Sequence, residues 1–64
     1  MQEKYIVYVG LKSQELYEYY CEQFTELIEA KASFAKAYEY YGGLTIATGI
    51  IINLIDNSLV YKID

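Results

Sequence analysis

Five glutamates recur at spacings of three or four residues, and carboxylates at such spacings could perform acid–base chemistry, hold a divalent ion or bind a basic partner. They are Glu15, Glu18, Glu22, Glu26 and Glu29. On a helix of 3.6 residues per turn they would fall within about 80° of arc and form one acidic stripe. A convex helix face offers no pocket, so we interpret the stripe as a binding or solvated surface instead of a catalytic one.

Other residue types that carry catalysis are scarce. The sequence has no histidine and a single cysteine, Cys21. Ser13, Ser33 and Ser58 have no base beside them in the sequence, so a nucleophilic mechanism has no support. We therefore predict that the protein is not an enzyme and that it holds neither a metal ion nor a cofactor.

An aromatic series with the alternating 3/4 spacing of a coiled-coil seam runs through the same segment. It consists of Tyr17, Tyr20, Phe24, Leu27, Phe34, Tyr38 and Tyr41, and only Lys31 interrupts it. Two interpretations stay open: the series packs on the protein's own sheet, or part of it meets the same helix of a second copy. The predicted dimer interface consists of Phe24, Leu27, Lys31, Phe34, Tyr38 and Tyr41.

Both patterns require one continuous helix over residues 13–41. Ser13 stands at the expected N-cap, and Gly42 and Gly43 supply a left-handed stop. At a rise of 1.5 Å per residue, such a helix would be roughly 43 Å long, which exceeds the width of a globule of this size. We therefore expect the helix to overhang its own sheet.

Three segments predict the strands of that sheet. Residues 4–9 are almost all β-branched or aromatic, and residues 59–63 alternate behind a turn. Residues 44–55 predict either one long strand with a bulge at Gly49 or two short strands. The predicted fold class is α+β, in the order β-α-β-β, with one long amphipathic helix packed on a small, mainly antiparallel sheet. Residues 1–64 form a single domain.

The formal charge of −4 is concentrated in the predicted helix, where six glutamates oppose Lys31 and Lys36. An acidic surface repels phosphate, so we expect no direct nucleic-acid binding, no membrane binding and a protein partner with a basic surface. The apolar run over residues 44–55 is too short to span a bilayer, which takes about 20 residues. No export signal stands at residues 1–10, so we expect a cytoplasmic protein.

The chain is near the lower limit for folding without disulfides, a metal or a partner chain. With the first two excluded, we predict a homodimer. Among the nine tyrosines, Tyr19 and Tyr40 would lie beside the acidic stripe, and exposed aromatics among carboxylates are typical of binding hot spots. The predicted partner-binding surface is Glu15, Glu18, Tyr19, Glu22, Glu26, Glu29 and Tyr40.

In its size, acidity and Tyr/Glu surface, the chain resembles the small phage-encoded inhibitors of host defence, such as anti-CRISPR proteins. The resemblance implies that the protein blocks a larger bacterial protein by occupying one of its surfaces, in the cytoplasm of the host cell. The alternative function is a dimeric regulatory or structural adaptor, such as an antirepressor, that uses the aromatic seam. Both functions are protein–protein interactions without catalysis.

Overall fold

The computed structural model describes residues 3–43 and 46–63. The elements are β1 (Tyr5–Leu11), a 3-10 turn (Leu16–Glu18), β2 (Tyr20–Phe24), α1 (Leu27–Tyr40), β3 (Ala47–Asn53) and β4 (Ser58–Ile63). The strands form one antiparallel sheet in the order β2-β1-β3-β4, and α1 packs on one of its faces. The predicted α+β class, with a helix on a small antiparallel sheet, is confirmed.

The predicted helix over residues 13–41 is wrong in its first half. Residues 20–24 form strand β2, which lies antiparallel to β1 and places Cys21 opposite Tyr8. Helix α1 begins at Leu27, so Ser13 is not its N-cap. Fourteen residues make a helix of about 21 Å, which is close to the length of about 23 Å of the seven-residue strands β1 and β3. The helix is thus about half as long as predicted and does not exceed the central strands in length.

The side chains of β2 alternate between the two faces of the sheet, as in any strand. Tyr20 and Phe24 pack against the core beneath α1, whereas Cys21 is exposed on the opposite side. The hydroxyl of Tyr20 lies 2.6 Å from Oγ of Ser33 and 2.6 Å from Oε1 of Glu22. The hydrogen bond between Tyr20 and Ser33 ties the outer strand β2 to the middle of α1.

The predicted stop at the end of the helix is confirmed. Gly42 and Gly43 have φ values of 103° and 76°, in the left-handed region that side chains rarely tolerate. The N–H of Tyr41 still donates to the carbonyl of Ala37 at 3.0 Å, and the N–H of Gly42 donates to Glu39 at 3.1 Å. Residues 44 and 45, which follow the glycines in the sequence, lie outside the described residues.

Within the described part of the segment 44–55, β3 is one strand and not two. The register shift in its pairing with β4 falls between Ile51 and Ile52, so the bulge predicted at Gly49 is wrong. Gly49 serves packing instead. A Cβ there would lie 2.8 Å from Cε2 of Phe34 and 2.9 Å from the carbonyl oxygen of Tyr8. The absence of a side chain lets the Phe34 ring rest directly on the sheet.

The core beneath α1 is small and centred on Phe34, which is 3 % exposed. The ring of Phe34 stacks on Tyr38, with centroids 5.9 Å apart, and meets the edge of Tyr61 at 5.2 Å. The other core residues on this side of the sheet are completely buried, namely Val7, Val9, Ala30, Ala47 and Ile51. One helix thus covers the two central strands and leaves the outer strands partly open.

Candidate functional site

The glutamates predicted to form one stripe are divided among three elements. Glu15 and Glu18 flank the 3-10 turn, and Glu22 lies on β2. Glu26 directly precedes α1, and Glu29 lies in its first turn. All five are exposed. They form no single helical surface, because the continuous helix that would align them does not exist.

The two tyrosines of the predicted partner-binding surface are also separated. Tyr40 is 82 % exposed at the C-terminal end of α1, where its ring meets the Tyr41 ring edge to face at 5.2 Å. Tyr19 follows the 3-10 turn and is half-buried. A Cβ on Gly10 would lie only 2.5 Å from Cδ1 of Tyr19, so the Tyr19 ring lies directly on β1. Tyr19 therefore holds the turn in place.

The residues of the predicted dimer interface mostly pack inside the protomer. Phe34 is the centre of the core, and Phe24, Tyr38 and Tyr41 are half-buried around it. These side chains therefore satisfy the first of the two interpretations, packing on the protein's own sheet. The Tyr38 hydroxyl is buried and has no hydrogen-bond partner among the described residues.

Two members of the predicted dimer interface lie nearer to solvent. Leu27 is half-buried in the first turn of α1, and Lys31 is exposed one turn later. Lys31 lines a groove of about 460 Å³ between α1 and β4, together with Tyr38 and Tyr61. The lysine that interrupts the aromatic series thus extends past the core to solvent.

A second groove, of about 600 Å³, separates α1 from β2 and is lined by Tyr20, Glu22, Lys36 and Tyr40 among others. The pKa of Tyr20 is raised because burial disfavours the phenolate, and the hydrogen bond to the Glu22 carboxylate adds to the effect. The Tyr20 hydroxyl therefore donates to Glu22, and Ser33 donates to Tyr20. This chain of hydrogen bonds holds the groove wall in place.

Two adjacent, highly exposed apolar residues lie on the 3-10 turn between β1 and β2, which together with Glu15 we call the tip (residues 15–18). Leu16 is 64 % exposed and Tyr17 is 86 % exposed. Glu15 and Glu18 stand on either side of them. The sequence pattern assigned Tyr17 to the aromatic seam and did not single out Leu16. The sequence signal that could have identified this pair is Glu15-Leu16-Tyr17-Glu18. Two adjacent apolar residues stand there between two carboxylates, and they fit neither the period of a strand nor that of a helix.

Hydrogen bonds within the loop fix the shape of the tip. The N–H of Glu15 donates to Oε1 of Glu18 at 3.0 Å, and the N–H of Glu18 donates to the carbonyl of Glu15 at 2.9 Å. The N–H of Tyr19 closes the turn on the carbonyl of Leu16 at 3.1 Å. At its base, the N–H of Leu11 donates to the side chain of Gln14 at 2.8 Å. The exposed pair is therefore presented on a preformed scaffold.

The described residues contain no group of three or more His, Cys, Asp or Glu side chains placed to hold a metal ion. Among residues 3–43 and 46–63, no helix has both the length and the hydropathy needed to cross a bilayer. Comparison with protein-family models, with curated proteins and with solved structures finds no match to this chain. The function has to be inferred from the geometry of the molecule.

Proposed function

We propose that the protein is a non-enzymatic protein-binding module that blocks a larger protein by inserting its tip into a pocket on that protein. The observation that carries the proposal is the exposure of Leu16 and Tyr17 on a hydrogen-bonded turn between two carboxylates. Large apolar side chains that stay exposed together mark interaction sites more often than isolated ones do.

The free energy of such an insertion comes from the two apolar side chains. Moving a leucine side chain from water into a pocket contributes about 1.5–3 kcal/mol. Tyrosine is among the residues enriched at binding hot spots, because it combines a large apolar ring with a polar end. The turn is already closed by the bonds at Glu15, Glu18 and Tyr19, so binding loses little backbone entropy.

The negative charges around the tip favour a protein with a basic surface as the partner. Glu15 and Glu18 would lie at the rim of the pocket, where a basic partner surface is complementary and speeds association. The net charge of −4 acts in the same direction over a longer range. Nucleic acid and anionic membranes would be repelled by the same carboxylates. The proposed partner is therefore a protein with an apolar pocket that basic residues surround.

The inhibitory role is proposed on the resemblance to small phage-encoded anti-defence proteins. A protein that occupies a pocket on its partner excludes the natural occupant of that pocket. The alternative, an adaptor that uses the aromatic seam, has less support, since Phe34 at the centre of that seam is 3 % exposed.

The test is capture of a partner from a bacterial lysate by two double variants, one at the tip and one matched control. The tip variant carries Leu16→Ser and Tyr17→Ser. The control carries Ile28→Ser and Tyr40→Ser, which replaces an isoleucine and a tyrosine of similar exposure, 78 % and 82 %, on α1. We expect the tip variant to bind the captured protein at least about 30-fold more weakly, the effect of one lost hot spot of 2 kcal/mol. The control should bind as the wild type does.

Equal capture by the tip variant and the wild type would overturn the proposal. Loss of capture by the control alone would favour the surface around Tyr40 that the sequence predicted. A further variant, Gly10→Ala, displaces Tyr19 and Gln14 without altering the exposed pair, and should weaken capture because the tip is no longer held. Adding the purified protein to an activity assay of the captured partner separates an inhibitor, which lowers that activity, from an adaptor, which leaves it unchanged.

A further inference from the structure

The face of the sheet opposite α1 carries a continuous apolar surface. Val7 and Val9 of β1 point toward α1, so Ile6 and Tyr8 point away from it. The strand register places Ile52 beside Ile6 and Ile50 beside Tyr8, and Leu59 of β4 extends the first of these rows. We call this surface the open face, with Ile6, Tyr8, Ile50, Ile52 and Leu59 as its apolar members.

No helix or strand of the described residues packs over the open face as α1 packs over the other one, although the Tyr19 ring covers its Gly10 end. Leu59 is 59 % exposed, and Tyr8, Ile50 and Ile52 are half-buried. Ile6, at the centre, is 8 % exposed. Burying four such side chains would contribute several kcal/mol at about 25 cal/mol per Å².

We propose that the open face is a homodimer interface, in which a second copy of this chain packs sheet against sheet. The occupant is a second copy because of the charge distribution and the symmetry of the surface. Residues 15–18 of the tip are not among the members of the open face, so the two proposals are tested by different variants.

The open face is the surface on which two copies repel each other least. Each copy carries a net charge of −4 and repels the other over most of its surface. The described carboxylates lie in the tip, directly before and on α1, on the helix side of β2, before β1 and in the β3–β4 turn. None belongs to a strand position that points to the open face. A basic partner would find no carboxylate there to pair with, whereas a second copy brings a mainly apolar surface with Lys62 at its β4 side.

The open face is also compatible with its own two-fold image. Lys62 lies at its β4 side, and Cys21 and Gln23 lie at its β2 side. A two-fold axis parallel to the strands places the Lys62 side of one copy opposite the Gln23 side of the other. The two lysines then do not face each other, and the apolar rows meet at the centre. Aligned packing of two antiparallel sheets, about 10 Å apart, is a common arrangement of this kind.

The area is adequate for a weak dimer. Four strands about 4.8 Å apart and about six residues long cover roughly 400 Å² in projection. Side chains stand out of the sheet, so the accessible area is larger, and two such faces approach the roughly 1,200 Å² at which standard interfaces begin. We therefore expect a dissociation constant on the order of micromolar.

Sedimentation equilibrium over a range of concentrations tests the proposal. The wild type should change from 7.4 kDa to twice that mass as the concentration rises. Ile52→Lys, at the centre of the open face, should raise the dissociation constant by about 100-fold or more, because both copies would bury an unpaired charge. Ile28→Lys is the matched control, since Ile28 is 78 % exposed on α1, and it should leave the dimer unchanged.

Leu59→Lys provides a second variant at an exposed site, and circular dichroism checks that each variant folds. The thiol reactivity of Cys21, which is exposed at the margin of the open face, provides an independent measure of dimerisation. The rate of reaction of Cys21 with a thiol reagent should fall at least several-fold as the wild type dimerises, and should be independent of concentration in folded Leu59→Lys. A wild type that stays at 7.4 kDa at several hundred micromolar would overturn the proposal. So would a dimer that both open-face variants leave intact.

Discussion

The two faces of the sheet are built from the same strands but are completed in different ways. Val7 and Val9 are fully buried beneath α1, whereas Ile6 and Tyr8 from the same strand contribute to the open face. A strand that is apolar on both sides requires a cover on each side. Helix α1 supplies one cover, and the second copy that we propose above would supply the other.

The shapes of the two faces differ as well. On the helix side, Gly49 provides a depression into which the Phe34 ring fits, so that face is adapted to one particular side chain. On the open side, Ile50 and Ile52 stand two residues apart on β3, and no helix of the described residues packs on them. The helix side is therefore fitted to one side chain of the same chain, whereas the open side has no such partner among the described residues.

The largest expected effect comes from removing the side chain that closes the helix side. Phe34→Ala should lower the free energy of unfolding by about 3–5 kcal/mol, because it leaves a cavity at the centre of a small core. Leu59→Ala, an equivalent truncation on the open face, should change the free energy of unfolding of the monomer by less than about 0.5 kcal/mol. Urea denaturation of both variants at a dilution that keeps the protein monomeric measures the contrast. Similar losses in both would contradict the distinction between the faces.

An intermediate effect is expected from filling the depression. Gly49→Ala should lower the free energy of unfolding by about 1–3 kcal/mol, because its Cβ would stand 2.8 Å from the Phe34 ring and 2.9 Å from the Tyr8 carbonyl. Combining Gly49→Ala with Phe34→Leu should cost less than the sum of the two single changes, since the smaller side chain leaves room for the methyl group. If the two losses of unfolding free energy simply add in the double variant, the Phe34 ring is not what opposes the added methyl group.

The smallest effect concerns the one titratable ring of the open face. Burial raises the pKa of Tyr8 above its ordinary value of 10.0, and the neighbouring Cys21 raises it further. A raised pKa means that the folded state favours the neutral phenol, so this stabilisation is complete below pH 10 and is lost as the pH rises through the folded pKa. The difference in tyrosinate absorbance between the wild type and Tyr8→Phe should show a midpoint above 10. A midpoint at or below 10 would mean that water reaches the ring freely.

Much of the fold is predictable because it depends on local signals. The strand at residues 4–9, the glycine stop after the helix and the final hairpin follow from β-branched residues, left-handed glycines and turn chemistry. The turn is as expected, with Asn57 at a φ of 60° and the N–H of Ser58 donating to Asp56 at 2.9 Å. These features require no knowledge of distant parts of the chain.

The error over residues 13–26 has a physical reason. Tyr20 and Phe24 are four residues apart, a spacing that fits one face of a helix and one face of a strand equally well. The strand is favoured here because β1 offers a long-range partner, with Tyr8 opposite Cys21, and because Tyr20 reaches Ser33 on the helix. Pairing with a distant strand overrides local helix propensity and leaves little trace in a short window of sequence.

The candidate sites were predictable only in part for the same reason. The exposure of the glutamates follows from their charge, but their division among three elements depends on the strand that replaced the helix. Once β2 exists, Tyr17 leaves the aromatic series and becomes the exposed end of a turn. Apolar residues on both sides of the strand at residues 4–9 indicate that both faces of the sheet are covered. The pattern does not indicate what covers the second face.

Among the described residues, β2 and β4 are the edge strands of the sheet. The outward N–H and C=O groups of an edge strand can pair with a strand of another molecule, which leads to aggregation. Each edge strand carries one charged side chain, Glu22 on the helix side of β2 and Lys62 on the other side of β4. Because these charges project from opposite faces, joining β4 of one molecule to β2 of the next would not bring them together as an ion pair. Charged side chains on edge strands disfavour pairing between molecules, and here no ion pair across the joined edges would offset that effect.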